Sequence, residues 1–197
     1  LHEQITTKEI KLNQYVVSLA GVLALCTLVH RLVSSDRLRS ITLTRNSIRG
    51  PGMEALAEAL RESNIPTFQT LAVQDNPIVF ENTDSKTLNT TSNRLGTGST
   101  GPAAVAKILR TAKHLTVMSL AGCHIGDPGL ALVSREVLRH TSLTSLKLDN
   151  NNVEPPTEMR ESAKLLGQAL SKGCVFEFSY AHNHLNGRDA LVMLGGA

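Results

Sequence analysis

One spacing of apolar residues recurs along the chain and constrains its fold more than any other feature. Its clearest copy is Leu143-x-x-Leu146-x-Leu148-x-x-Asn151-x-Val153. The same frame returns at Leu38, Ile41, Leu43, Asn46 and Ile48, and at Phe68, Leu71, Val73, Asn76 and Ile78. It returns again at Leu115, Met118, Leu120, Cys123 and Ile125, and at Val175, Phe178, Tyr180, Asn183 and Leu185. A weaker copy opens the chain, with Ile5, Ile10 and Asn13 in frame and Lys8 where the other copies are apolar. A unit this short cannot bury its own apolar face, so its stability has to come from stacked neighbours.

Each copy reads as strand, turn and helix. The x-Leu-x-Leu-x portion alternates apolar and polar, the period of a half-buried strand. Gly and Pro follow it at Gly50-Pro51-Gly52, Gly101-Pro102, Gly126-Asp127-Pro128-Gly129 and Pro155-Pro156, and proline pre-sets the first turn of a helix. Helical runs come next, such as 53–60 and 163–170, with apolar residues three and four apart. The copies start near 5, 38, 68, 115, 143 and 175, giving spacings of 33, 30, 47, 28 and 32. The long spacing holds a polar insert at about 81–100; in residues 81–101, 15 of 21 are Ser, Thr, Asn or Gly. Removing about 19 of them brings Gly101, Val105 and Leu109 onto the positions of Gly52, Leu56 and Leu60. The insert is therefore expected to be a flexible loop between strand and helix, its hydroxyls open to phosphorylation.

Composition agrees with a thin core copied many times. The chain has 29 Leu but no Trp, 4 Phe and 2 Tyr, so aliphatics fill the space that aromatic rings usually take. With 19% charged residues and a net charge of +3, it is neither disordered nor strongly basic in the manner of a nucleic-acid binder. Cys26, Cys123 and Cys174 are too few, too far apart and odd in number for a disulfide framework or a zinc site. They read as buried thiols in a reducing, cytoplasmic compartment. Leu12–Val29 carries no charge, but Asn13 and Gln14 shorten its apolar part below a membrane span, and it reads as a buried helix. The start at Leu1 and the uncapped Leu191–Ala197 segment suggest a fragment of a longer chain.

The frame LxxLxLxxNxL, one helix per copy and a period of about 28 residues resemble a leucine-rich repeat domain. Gly52 followed by Leu56-Ala57-x-x-Leu60 resembles the ribonuclease-inhibitor-like subtype. The resemblance departs from its pattern at Lys8, at Cys123 and around 154–163. It implies an α/β solenoid, 1–197 as one domain, curved and right-handed, with one parallel strand and one helix per repeat and the strands on the concave face. It says little about function, because the same architecture serves inhibitors, GTPase activators and scaffolds.

Two surfaces remain as candidates for work. The outward strand residues would line the concave face, and Arg45, Gln74, Asp75, Lys147, Asp149 and His182 are its expected specific contacts with protein. Asn46, Asn76, Asn151 and Asn183 would stack at the strand ends, bonding backbone groups that the turns expose. Basic residues gather at helix ends, at His30-Arg31, Arg61, Arg110, Lys113-His114, Arg139-His140 and Lys172. They complement the helix dipole there, and stacking would align them along one rim. No phosphate-binding, dinucleotide or nucleophile-elbow motif occurs. His182-Asn183-His184 lacks further metal ligands, and Cys123 occupies a core position beside His124 rather than a reactive one.

The expected function is thus a non-catalytic, rigid docking scaffold in an intracellular hetero-complex, cytoskeletal assemblies among them. It would have a protein partner, no cofactor or metal, and no nucleic-acid or membrane partner. The alternative is an enzyme regulator, a GTPase-activating or inhibitor module resembling Ran GTPase-activating protein or ribonuclease inhibitor.

Overall fold

A computed structural model describes residues 8–13, 19–33, 38–46, 48–61, 67–76, 100–151, 153 and 160–195. Strand and helix alternate without exception in these segments. The order is β1 (Glu9–Asn13), α1 (Leu19–Val33), β2 (Ser40–Thr44), α2 (Arg49–Arg61), β3 (Thr70–Ala72) and α3 (Thr100–Thr111). Then come β4 (Val117–Ser119), α4 (Gly126–Arg139), β5 (Ser145–Lys147), α5 (Glu161–Ser171), β6 (Glu177–Ser179) and α6 (Gly187–Gly195). The six strands form one parallel sheet in chain order, β1-β2-β3-β4-β5-β6.

The frame explains the register. Ile41 lies opposite Leu71, Leu71 opposite Met118, Met118 opposite Leu146 and Leu146 opposite Phe178. Apolar residues that share a frame position therefore stack into a column. Ile41, Leu71, Met118 and Leu146 are wholly buried between the sheet and the helices. The helices supply the facing layer through Leu56, Val105, Leu109, Leu130, Val133 and Leu166, each at most 1% exposed. Parallel strands sit about 4.8 Å apart, whereas packed helices need about 8–10 Å. The helical side must fan out, so the solenoid curves with its strands inside.

Helix starts follow the local chemistry. Pro51, Pro102 and Pro128 lie in the first turns of α2, α3 and α4, where a missing N–H costs nothing. His140 closes α4 in an extended conformation (φ −78°, ψ 140°), its N–H donating to Glu136 and Val137 carbonyls. Two helical glycines permit close approach. A Cβ on Gly129 would strike Ile125 and Pro102, and one on Gly167 would strike the Val192 carbonyl of the next helix.

Two expectations need correction. The opening copy is shifted by two residues, because Ile10 pairs with Ile41 and Leu12 with Leu43. Ile10 and Leu12, rather than Lys8 and Ile10, are the inward strand positions, and Lys8 is exposed. Satisfying Lys8 as a frame residue would have buried an unpaired ammonium. The charge-free run Leu12–Val29 is likewise not one buried helix. Leu12 belongs to β1, and among the described side chains of α1 the buried ones form a stripe, Val22, Leu25 and Val29, with Leu23 exposed. Among the described helices α1 packs against α2 alone, so one face suffices. Among the described residues, no helix is long and apolar enough to cross a membrane. The insert at about 81–100, up to Ser99, and Pro155-Pro156 lie outside the described residues, except that Thr100 begins α3.

Candidate functional site

The strand face and the turns at its end form one continuous surface, built from the backbone outward. Beyond each strand the chain continues the parallel ladder, with Arg45, Asp75, Gly122 and Asn150 donating their N–H groups to Gln74, Ala121, Asp149 and Ala181 carbonyls. These four residues and His182 all have positive φ, between 52° and 68°. The position just before the frame Asn is thus left-handed in all five good copies. Only glycine adopts this region freely, and Asn and Asp tolerate it with a local cost. That cost is met because the turn delivers the next side chain, Asn, into the interior.

That Asn row behaves as a hydrogen-bonded column. Asn151 donates from Nδ2 to the Leu148 carbonyl at 2.8 Å within its own repeat, and to Leu120 of the preceding repeat at 3.0 Å. Its backbone N–H donates in turn to Asn183 Oδ1 at 2.7 Å. Asn46 repeats the pattern, with Nδ2 on the Leu12 and Thr44 carbonyls at 2.9 Å each and its N–H on Asn76 Oδ1 at 2.8 Å. Asn46, Asn76 and Asn151 are wholly buried, and Asn183 is 2% exposed. At Cys123 a thiol takes the amide's place. Its Sγ donates to the Val73 carbonyl at 3.0 Å and receives the Asn76 N–H. Burial pushes that thiol's pKa up to about 12, so Cys123 stays protonated and is no nucleophile at neutral pH.

The six expected contact residues separate into two groups. Arg45, Gln74 and Asp75 lie on the second and third repeats, and Lys147, Asp149 and His182 on the last two. Between them the fourth repeat carries Val117, Ser119, Ala121 and Gly122, of which Ser119 and Gly122 are buried. Five of the six are already joined to a neighbouring repeat. Arg45 Nε lies 3.4 Å from Asp75 Oδ2, and Gln74 Nε2 donates to Ser119 Oγ at 2.6 Å. Lys147 pairs with Glu177 at 2.9 Å. Asp149 accepts from Ser179 Oγ at 2.5 Å and from the Ala181 N–H at 2.7 Å. The Ser145 hydroxyl and the Lys147 ammonium hold the Glu177 carboxyl below its ordinary pKa. His182 is exposed at the end of the row. An exposed ion pair such as Arg45–Asp75 contributes at most about 1 kcal/mol, so an incoming partner could replace it at little cost.

A second polar cluster escaped the sequence reading. Arg160 stands just before α5 with a side chain 5% exposed, between the starts of α4 and α6. Its backbone N–H donates to Asp189 Oδ1 at 3.3 Å, and its guanidinium donates to the His184 carbonyl at 3.1 Å. Nε lies 3.7 Å from Asp189 and 3.9 Å from Asp127, while Ser162 Oγ donates to Asp127. Burial above all pushes the neighbouring Tyr180 phenol up to about 12. Asp127 and Asp189 occupy matching first turns of α4 and α6, the one sequence signal that could have disclosed the cluster. It fastens three consecutive helix starts. Among the described residues no group of three His, Cys, Asp or Glu side chains could hold a metal ion.

Stacked strand–turn–helix units joined by an Asn column define an α/β solenoid of the leucine-rich-repeat type. Residues 111–134, running from the end of α3 through β4 into α4, match the family model described as Leucine Rich repeat. The match covers one of the repeated units. No curated protein matches the chain.

Proposed function

We propose that this chain is a non-catalytic protein–protein interaction module, a rigid docking scaffold within a larger intracellular assembly. The supporting observation is the sheet itself. Six strands in parallel register, tied by the buried amides of Asn46, Asn76, Asn151 and Asn183 and by the Cys123 thiol, present a broad surface with fixed spacing. Such a surface loses little conformational freedom when it binds, and that preorganisation favours recognition. A cytoplasmic setting is part of the reading, supported by Cys26, Cys123 and Cys174 being free thiols. A cytoskeletal assembly is one form the complex could take. Placement in the ribonuclease-inhibitor-like subtype is supported by a full α-helix after each strand, of 9–15 residues.

The regulator alternative would give Arg45 or Arg49 a direct role toward a GTPase. Capture of partners from native extract on the immobilised chain, identified by mass spectrometry, tests the proposal. Stoichiometric, salt-resistant partners are expected. Failure to capture any protein would overturn it, and GTP hydrolysis stimulated in a captured GTPase and lost on Arg49→Ala would replace it with the regulator.

A further inference from the structure

The rim where the helices end and the next strands begin carries a charge pattern that the concave face lacks. Arg110 of α3 and Arg139 of α4 both approach Glu136, at 3.6 Å and 3.1 Å. The Glu136 side chain is only 9% exposed beneath them, whereas both guanidinium groups are largely in solvent. Lys172, just after α5, reaches back to donate to the Leu138 carbonyl of α4 at 2.6 Å. Lys113 follows the end of α3, where the His140 ring bonds the Ala112 carbonyl at 3.1 Å. Three consecutive repeats therefore carry four cations on this rim, two of them paired with one largely buried carboxylate.

The same rim exposes an aromatic ring. Phe176 follows α5 at the start of the last repeat and is 83% exposed. Its backbone is fixed by an N–H bond to the Thr144 carbonyl at 2.9 Å. The other good copies carry Arg39, Gln69, Thr116 and Thr144 at this frame position, all polar. A phenyl ring there is a local departure from the repeat and serves no core contact.

We propose that this rim is a docking surface for an extended acidic peptide segment of a protein partner, its carboxylates taken by Arg110, Lys113, Arg139 and Lys172 and an adjacent apolar side chain by Phe176. This rests on the docking-scaffold reading and adds the chemistry of the partner. Charge complementarity carries it: a row of exposed cations raises the local concentration of an anionic segment and speeds its association. A peptide suits the surface better than a nucleic acid does. One exposed phenyl ring makes no stacking platform for successive bases.

The test is fluorescence anisotropy of the full chain with a labelled Asp/Glu-rich peptide carrying one Leu. A Lys-for-acid version of that peptide and a single-stranded oligonucleotide of matched charge serve as comparators. The expected result is saturable binding of the acidic peptide, weakened about tenfold or more by Lys113→Glu with Lys172→Glu, and about threefold or more by Phe176→Ala. Lys113→Gln with Lys172→Gln, which removes charge without reversing it, should weaken binding by a smaller factor. Melting curves matching the parent confirm that the variants fold. Equal affinity of parent and charge-reversed chain, equal binding of the Lys peptide, or tighter binding of the oligonucleotide would each overturn the proposal. If the charge-reversed chain still captures the parent's partners from extract, the rim is wrong and the scaffold stands. If the parent captures no protein, the scaffold itself falls.

Discussion

At the scale of single residues, the frame Asn is the most demanding position in the molecule. Asn151 is wholly buried, and its amide satisfies the Leu120 and Leu148 carbonyls while its own N–H depends on Asn183. Removing the amide leaves buried carbonyls unpaired, which costs about 1–3 kcal/mol. Asn151→Ala should lower the urea midpoint by a corresponding amount, and an unchanged midpoint would show that water replaces the amide. Cys123 shows how little latitude remains, since a thiol fits only because it too can donate and accept. His140 gives the fold a pH dependence. Burial, chiefly, holds its pKa below the ordinary histidine value, and nearby Lys113 adds to this against the opposing Ala112 bond. The unfolded chain therefore binds the proton more readily, so this contribution is complete above the ordinary histidine pKa and is lost as pH falls toward the folded value. Urea midpoints measured from about pH 7.5 down to about pH 5 should fall less steeply in His140→Gln than in the parent. Parallel slopes would remove His140 as a cause.

At the scale of elements, spacing between helices decides what a repeat tolerates. Gly167 lies where α5 meets the α6 backbone, so a Cβ there must displace the Val192 carbonyl rather than a yielding side chain. Gly167→Ala improves helix propensity locally, yet overpacking of this kind typically costs about 1–3 kcal/mol. The expected sign is destabilisation, with faster amide exchange confined to α6 and its contacts with α5. Gly187→Ala at the start of α6 is the contrasting variant, because nothing lies within 4 Å of its added Cβ. Similar exchange rates in both variants would mean that α6 adjusts freely. Strand and helix assignments were legible in the alternation of apolar residues and in Pro51, Pro102 and Pro128. The opening repeat was not, because Ile5, Ile10 and Asn13 mimic the frame two residues out of step, and only pairing against β2 decides between them.

At the scale of the whole molecule, the repeated frame by itself determined the solenoid. Apolar residues returning at fixed offsets can be buried together only by stacking copies in register, and stacking parallel strands beneath wider helices imposes the curvature. The frame also foretold the buried Asn column, because each copy exposes the same backbone groups at the same turn. It did not determine what the surface side chains do. Arg45, Gln74, Asp75, Lys147 and Asp149 all lie on the strand face or its turns, yet each is spent partly on a neighbouring repeat. Those partners lie 30 to 45 residues away in the chain, a distance at which periodicity fixes position but not side-chain pairing. The same holds for Arg160 with Asp127 and Asp189, and for Arg110 with Glu136. Burial follows from a pattern that every repeat shares, whereas polar contacts depend on the one neighbour each repeat meets, and only the tertiary structure supplies that neighbour.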